Sequence, residues 1–145
     1  MKFSDVTPNL VVANVERSLA FYRDVLGFSI AATVPESAAP TPEGGEGGPL
    51  VFAWMQRDGV SVFLNSVESV QENATIASRA IGGTATLFIV IEAEDIGGGI
   101  DALFTSISPR VRVVMGLKDQ FYGMREFGIE DPDGYVIFFA QRMAQ

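Results

Sequence analysis

The sequence predicts an α+β chain made of two βαβββ modules with pseudo-twofold symmetry, mixed sheets inside and helices packed outside. Three observations carry that expectation. Short β-rich runs dominate, and only two stretches have helical periodicity. The order strand, helix, strand, strand, strand occurs twice. The repeat also shows in the residues: "RDGVSVFLN" (57–65) and "PDGYVIFFA" (132–140) superpose, so that Asp58 matches Asp133, Gly59 matches Gly134 and Phe63 matches Phe138. The modules span about 4–66 and 84–142, joined by a linker at 67–83, within one domain of 145 residues.

In the first module "VTPNLVVANV" reads as a strand. "VERSLAFYRDVLGF" follows as a helix: Leu19, Tyr22 and Leu26 recur at helical spacing, and Val15, Phe21 and Val25 widen the stripe. Asn14 suits its N-cap and Gly27 its C-cap. "FSIAATV" is a strand. Residues 35–49, with four Pro and four Gly, are a loop that reads either as an ordinary hairpin excursion or as a flap over a cleft. "LVFAWMQ" and "VSVFLNS" are strands around the hairpin signal "RDG". The linker is polar with some helix.

The second module repeats the order. "ATLFIVIEA" is a strand. "EDIGGGIDALFTSI" is a helix candidate with Ile96, Ile100, Leu103 and Phe104 on one side, and its glycines predict an irregular first turn. "RVRVVMG", "GMREFGIE" and "YVIFFAQ" are strands. "EDPDG" lacks the ligand order of a Ca²⁺ loop and reads as a turn, with Asp side chains bonding nearby backbone and Gly134 at positive φ.

Composition excludes several chemistries. The chain has no cysteine, hence no disulfide, thiolate metal site or cysteine nucleophile. It has no histidine, so a Ser-His-Asp triad is impossible and a metal site would need oxygen ligands. The net charge of −8 disfavours nucleic acid and would attract a cationic ligand; the plainer reading is solubility. No apolar run reaches the ~18 residues of a membrane helix, and the start lacks a signal-peptide pattern, so cytoplasm is expected and no membrane partner. Asn73-Ala74-Thr75 matches a glycosylation acceptor and is taken as chance.

The duplicated unit, "NVERSLAFYRDVLGF" and "YGMREFGIEDPDGYVIFFAQ" together resemble the vicinal-oxygen-chelate superfamily of glyoxalases, dioxygenases and bleomycin-resistance proteins. That resemblance implies sheets curling into a cleft and a homodimer. Metal-dependent members hold their ion near the start of each module's first strand and the middle of its last. Carried over, those positions are Thr7, Phe88, Phe63 and Phe138. None is an imidazole or a carboxylate, so the likeness is to the metal-free, bleomycin-resistance-like members, with no metal and no cofactor.

Strand alternation then groups Asn9 with Thr7, Ser61 and Asn65 with Phe63, and Val90 and Glu92 with Phe88. Trp54 shares a face with Phe52 and Gln56. Glu126 is expected to face inward, with Tyr122 at the entrance of its strand; its plainer reading is a salt bridge with Arg125 or another cation, and Arg125 itself reads as structural. The candidate ligand-binding residues are therefore Thr7, Asn9, Trp54, Phe63, Phe88, Tyr122, Glu126 and Phe138, although aromatics at β spacing also serve as plain core. The expected function is binding of a small organic molecule, a cationic or aromatic antibiotic or metabolite held by stacking and by carboxylates. The alternative is a metal-independent isomerase or lyase with Glu126 or Glu92 as base.

Overall fold

The computed structural model describes residues 1–2, 4–37, 48–83, 85–92 and 98–144. They fall into two compact units, Met1–Ile81 and Gly82–Gln145.

The first unit runs β1 (Asn9–Val12), α1 (Val15–Asp24), β2 (Ser29–Pro35), β3 (Leu50–Arg57) and β4 (Val60–Ser66). A short 3₁₀ turn and α2 (Ala74–Ala77) follow. The sheet order is β1-β4-β3-β2, with β1 parallel to β4 and the other neighbours antiparallel. α1 forms where the apolar stripe lies. Val15, Ser18, Leu19 and Tyr22, at the i, i+3, i+4, i+7 positions, are buried. Asn14 caps it, its side chain accepting from the Arg17 N–H at 2.7 Å. Gly27, at φ 72, reverses the chain so that the Phe28 N–H closes on the Tyr22 carbonyl at 2.9 Å. The helix covers one sheet face, made of Leu10, Val12, Ala53, Met55, Val62 and Leu64, all buried. Each large side chain fully buried there contributes about 1.5–3 kcal/mol relative to exposure. β3 and β4 turn through Asp58 and Gly59, with Asp58 at φ 49.

The second unit runs β5 (Thr86–Ile91), α3 (Gly99–Ile107), β6 (Arg112–Asp119), β7 (Met124–Glu130) and β8 (Val136–Arg142). Its order, β5-β8-β7-β6, repeats the first, again with a parallel outer pair. α3 packs Phe104 edge-on against Phe127 at 5.1 Å, and Phe127 stacks on Phe139 at the same separation. Leu87, Ile129 and Ile137 complete that covered face. The "EDPDG" segment is the expected turn: Asp131 Oδ1 accepts from the N–H groups of Asp133 and Tyr135, each at 2.9 Å, and Gly134 has φ 87.

Some boundaries differ from the sequence expectation. The first strand begins at Asn9, past Pro8, which has no N–H to give a ladder. The described part of the second helix starts at Gly99, φ 59, behind Gly98, which has a left-handed φ of 76, so its start is irregular as the glycines predict. Residues 93–97, including Ile96, and most of the 35–49 loop lie outside the described residues. Asn73 of the apparent glycosylation triplet caps α2, accepting from the Ile76 N–H at 3.2 Å. No helix among the described residues is long and apolar enough to cross a membrane.

Candidate functional site

In each unit the helix covers one sheet face and leaves the other open, and the open faces carry the predicted residues. In the first unit, register places Asn9, Phe63, Trp54 and Ala32 in one row across the four strands. The next row holds Val11, Asn65, Phe52 and Val34. Phe63 sits between two rings, tilted against Phe52 at 5.3 Å and edge-on to Trp54 at 5.9 Å. Ser61 Oγ accepts from Trp54 Nε1 at 3.1 Å and from Gln56 Nε2 at 3.2 Å, which fixes the indole's orientation. Asn65 Nδ2 donates to Asn9 Oδ1. The face is thus an aromatic floor with an amide pair along one side, chemistry that suits a flat organic ring.

In the second unit, equivalent rows read Phe88, Phe138, Gly128, Met115 and Val90, Ala140, Glu126, Lys118. Phe88 is 54% exposed on the edge strand. Glu126 is only 3% exposed, yet it sits on this open face among Val90, Ala140 and Phe138. Tyr122, from the turn before β7, donates its hydroxyl proton to Glu126 Oε1 at 2.7 Å, and its ring is 51% exposed. This bond, ahead of desolvation and of the carboxylate's charge, raises the Tyr122 pKa above the ordinary phenol value.

The salt-bridge reading of Glu126 is corrected. Among the described residues its polar partner is Tyr122, because Arg125, the next residue on the strand, points to the opposite face. There Arg125 bridges Asp101 at 2.9 Å and Asp119 at 2.7 Å. Its hydrogen bonds to both raise its pKa, and its bond to Asp101 lowers that carboxyl's.

The equivalence of the first strands also shifts. The sequence set Thr7 against Phe88; the ladders pair Phe88 with Phe138 and Asn9 with Phe63. Thr7 lies before β1, with its hydroxyl on Asp5 Oδ2 at 3.3 Å. Glu92 is exposed beyond the end of β5 and is not brought to Glu126 by the ladder. Asn9, Trp54 and Phe63 share one open face, and Phe88, Tyr122, Glu126 and Phe138 share the other.

Two participants escaped the sequence reading. Gly128 gives the Phe138 ring its place, and a lone glycine inside a bulky strand was the available signal. Gln141 Oε1 accepts from the Ile100 N–H at 2.7 Å, capping α3 in place of Gly98; nothing local marks that contact.

Neither Asn9 and Phe63 in the first unit nor Phe88 and Phe138 in the second is an anionic or imidazole donor for a divalent cation. Among the described residues no three His, Cys, Asp or Glu side chains are grouped as a metal site. A separate cavity of about 460 Å³ lies at the end of the β3–β4 hairpin, lined by residues including Gly27, Gln56 and Arg57. Its Arg57 is engaged with the Leu26 carbonyl at 2.5 Å and with Asp58 at 3.6 Å.

Residues 5–139 match the model of the Glyoxalase/Bleomycin resistance protein/Dioxygenase superfamily. A bleomycin resistance protein of Geobacillus stearothermophilus is 30% identical over 146 residues, covering 94% of this chain and 95% of that protein. One from Staphylococcus aureus gives the same figures. Among solved structures, a protein of unknown function from Agrobacterium tumefaciens aligns with TM-score 0.68 at 24% identity, covering 99% and 97% of the two chains. TioX from Micromonospora sp. aligns with TM-score 0.65 at 18% identity, covering 97% and 100%. A lactoylglutathione lyase from Agrobacterium tumefaciens aligns at 0.68 with 16% identity, covering 97% and 95%. These structural likenesses bear on the fold alone.

Proposed function

Given that this chain belongs to the glyoxalase/bleomycin resistance protein/dioxygenase superfamily, we propose that it is a metal-free binding protein for a small organic ligand. The ligand is cationic, aromatic or both, an antibiotic or a metabolite, captured stoichiometrically by a homodimer in the cytoplasm. Support comes first from the positions that the resemblance matches to metal ligands: Thr7 and Phe63 in the first unit and Phe88 and Phe138 in the second offer a hydroxyl and three aromatic rings, with no anionic or imidazole donor. Support comes also from the relatives named bleomycin resistance proteins and from the net charge of −8, which favours a cation over a nucleic acid. In the first unit Trp54 and Phe63 offer stacking area; in the second, Glu126 offers a counter-charge in an apolar frame.

Calorimetric titration tests this reading, using bleomycin and a panel of cationic aromatic compounds. Trp54 is the one tryptophan of the chain, so its fluorescence reports directly on the first unit's open face. Saturable heat with a quench of that emission is the expected result; no heat with any compound would remove the reading.

A second reading, a metal-independent isomerase or lyase with Glu126 as base, gains one observation: the carboxylate is buried and has a phenol at 2.7 Å that could donate a proton. Glu92 has no such setting. A turnover unaffected by Glu126→Gln would remove it.

A further inference from the structure

Glu126 presents an unusual combination. It is 3% exposed, it stands on the open rather than the helix-covered face, and its hydrogen bond comes from a side chain that is itself half-exposed. Among the described residues no fully buried side-chain oxygen lacks a hydrogen-bond partner. The second carboxylate oxygen accepts no hydrogen bond there, so it retains access to the open face. Lys118, its Cα partner on β6, and Arg142, two residues beyond Ala140 on β8, are the nearest cations by register. Neither is ion-paired with it.

The equivalent position in the first unit is Phe52, because Phe52 pairs with Asn65 where Glu126 pairs with Ala140. The carboxylate therefore belongs to one face only and is not a requirement of the repeated framework.

Tyr122 is set so that its side chain can leave while its backbone stays. The turn is closed by Gln120 N–H to the Met124 carbonyl at 2.7 Å, Gly123 N–H to the Gln120 carbonyl at 3.1 Å and Met143 N–H to the Gly123 carbonyl at 3.0 Å. Gly123 takes φ 84, which permits the reversal. Rotation about χ1 would move the ring into solvent and lose one edge-on contact with Phe121, whose own side chain is fully exposed.

We propose that the Tyr122 hydroxyl is a latch: in the free protein it occupies Glu126, and a ligand's ammonium nitrogen displaces it to reach the carboxylate. This rests on the binding reading above and deepens it in two ways. It names a cationic nitrogen as the group recognised by the second unit, and it makes access to that group competitive with an internal donor. The phenol keeps the buried carboxylate hydrogen-bonded when no ligand is present. It also sets a threshold, since a neutral hydroxyl or amide exchanges one neutral donor for another, whereas an ammonium gains a full charge pair. The displaced ring can then lie over the cation with its π face.

The test measures affinity for phenethylammonium and for its neutral counterpart 2-phenylethanol in the wild type, Tyr122→Phe and Glu126→Gln. Thermal melting checks that each variant is folded. Removing the internal competitor should tighten phenethylammonium binding about tenfold in Tyr122→Phe, in keeping with loss of one charge-assisted hydrogen bond, and leave 2-phenylethanol unchanged. Glu126→Gln should erase the preference for the cation. Weaker or equal ammonium binding by Tyr122→Phe overturns the latch, and if Glu126→Gln still erases the preference, the binding reading survives without it. An unchanged preference in Glu126→Gln overturns the proposal at its anchor, as does absence of phenethylammonium binding in all three proteins. Bleomycin heats and the Trp54 quench then judge the wider reading separately.

Discussion

The ring of Phe138 lies against the bare backbone of Gly128 on the neighbouring strand. A Cβ at position 128 would stand 2.9 Å from the ring's Cε1, 3.0 Å from its Cδ1 and 3.1 Å from Val114 Cγ2. Gly128 is not among the glycines with positive φ, so it is required for space and not for conformation. Gly128→Ala should therefore destabilise the protein by roughly 1–3 kcal/mol through overpacking, read from denaturant unfolding. Adding Phe138→Leu should recover part of that loss, because the two residues share one contact and their effects are non-additive. Full additivity would show that the ring does not rest there.

The cap on α3 comes from far along the chain. Gly98 offers no side chain, and Gln141 of β8 accepts from the Ile100 N–H at 2.7 Å instead. Gln141→Ala should cost about 1 kcal/mol, the scale of a lost N-cap, whereas Gln141→Glu keeps the acceptor and adds a charge favourable at a helix N-terminus. Gly99→Ala should be costlier than an ordinary helix glycine replacement, because its Cβ would collide with the Gln141 amide and Gly99 itself has φ 59. Thermal melting of the three variants checks the order; equal melting of Gln141→Ala and wild type would remove the cap.

Local signals made most of the framework legible. Asn14 before an apolar stripe marked α1, Asp58-Gly59 marked the first hairpin, and Asp131 to Gly134 marked the turn before β8. Alternation put Phe63 and Phe138 on the open faces because the side-chain period of a strand is two. What failed was register between distant strands. Placing Thr7 against Phe88 assumed equal spacing from first strand to helix in both modules, whereas α3 begins further past β5 than α1 does past β1. The Glu126 partner was missed for a related reason: a phenol four residues back across a turn leaves no periodic mark.

That neither Asn9 and Phe63 in the first unit nor Phe88 and Phe138 in the second is an anionic or imidazole donor leads to a prediction about ions. Addition of Zn²⁺, Mn²⁺ or Ni²⁺ to protein stripped with a chelator should leave the melting temperature unchanged. Selective metal binding to the folded state would raise it by mass action. Affinity for any organic probe should likewise be the same before and after chelation. A saturable upward shift with one of these ions, lost on chelation, would refute the assignment.

Alkaline titration probes the bond between Tyr122 and Glu126. The phenol pKa is raised first by the hydrogen bond to the carboxylate, then by desolvation and by the carboxylate's charge. A group whose pKa is higher folded than unfolded keeps its proton longer in the native state. Its contribution to stability is whole below the unfolded value of about 10 and is lost as pH rises through the folded value. Wild-type protein should thus lose stability relative to Glu126→Gln over that alkaline window. The chain has three tyrosines, so near-ultraviolet difference absorbance should show a late-ionising component in the wild type that is absent in Tyr122→Phe. In Glu126→Gln the same component should move to lower pH, because the carboxylate that retained the proton is gone. Superposable titrations of wild type and Glu126→Gln would mean that the phenol does not hold the carboxylate in solution, and the latch would fall with it.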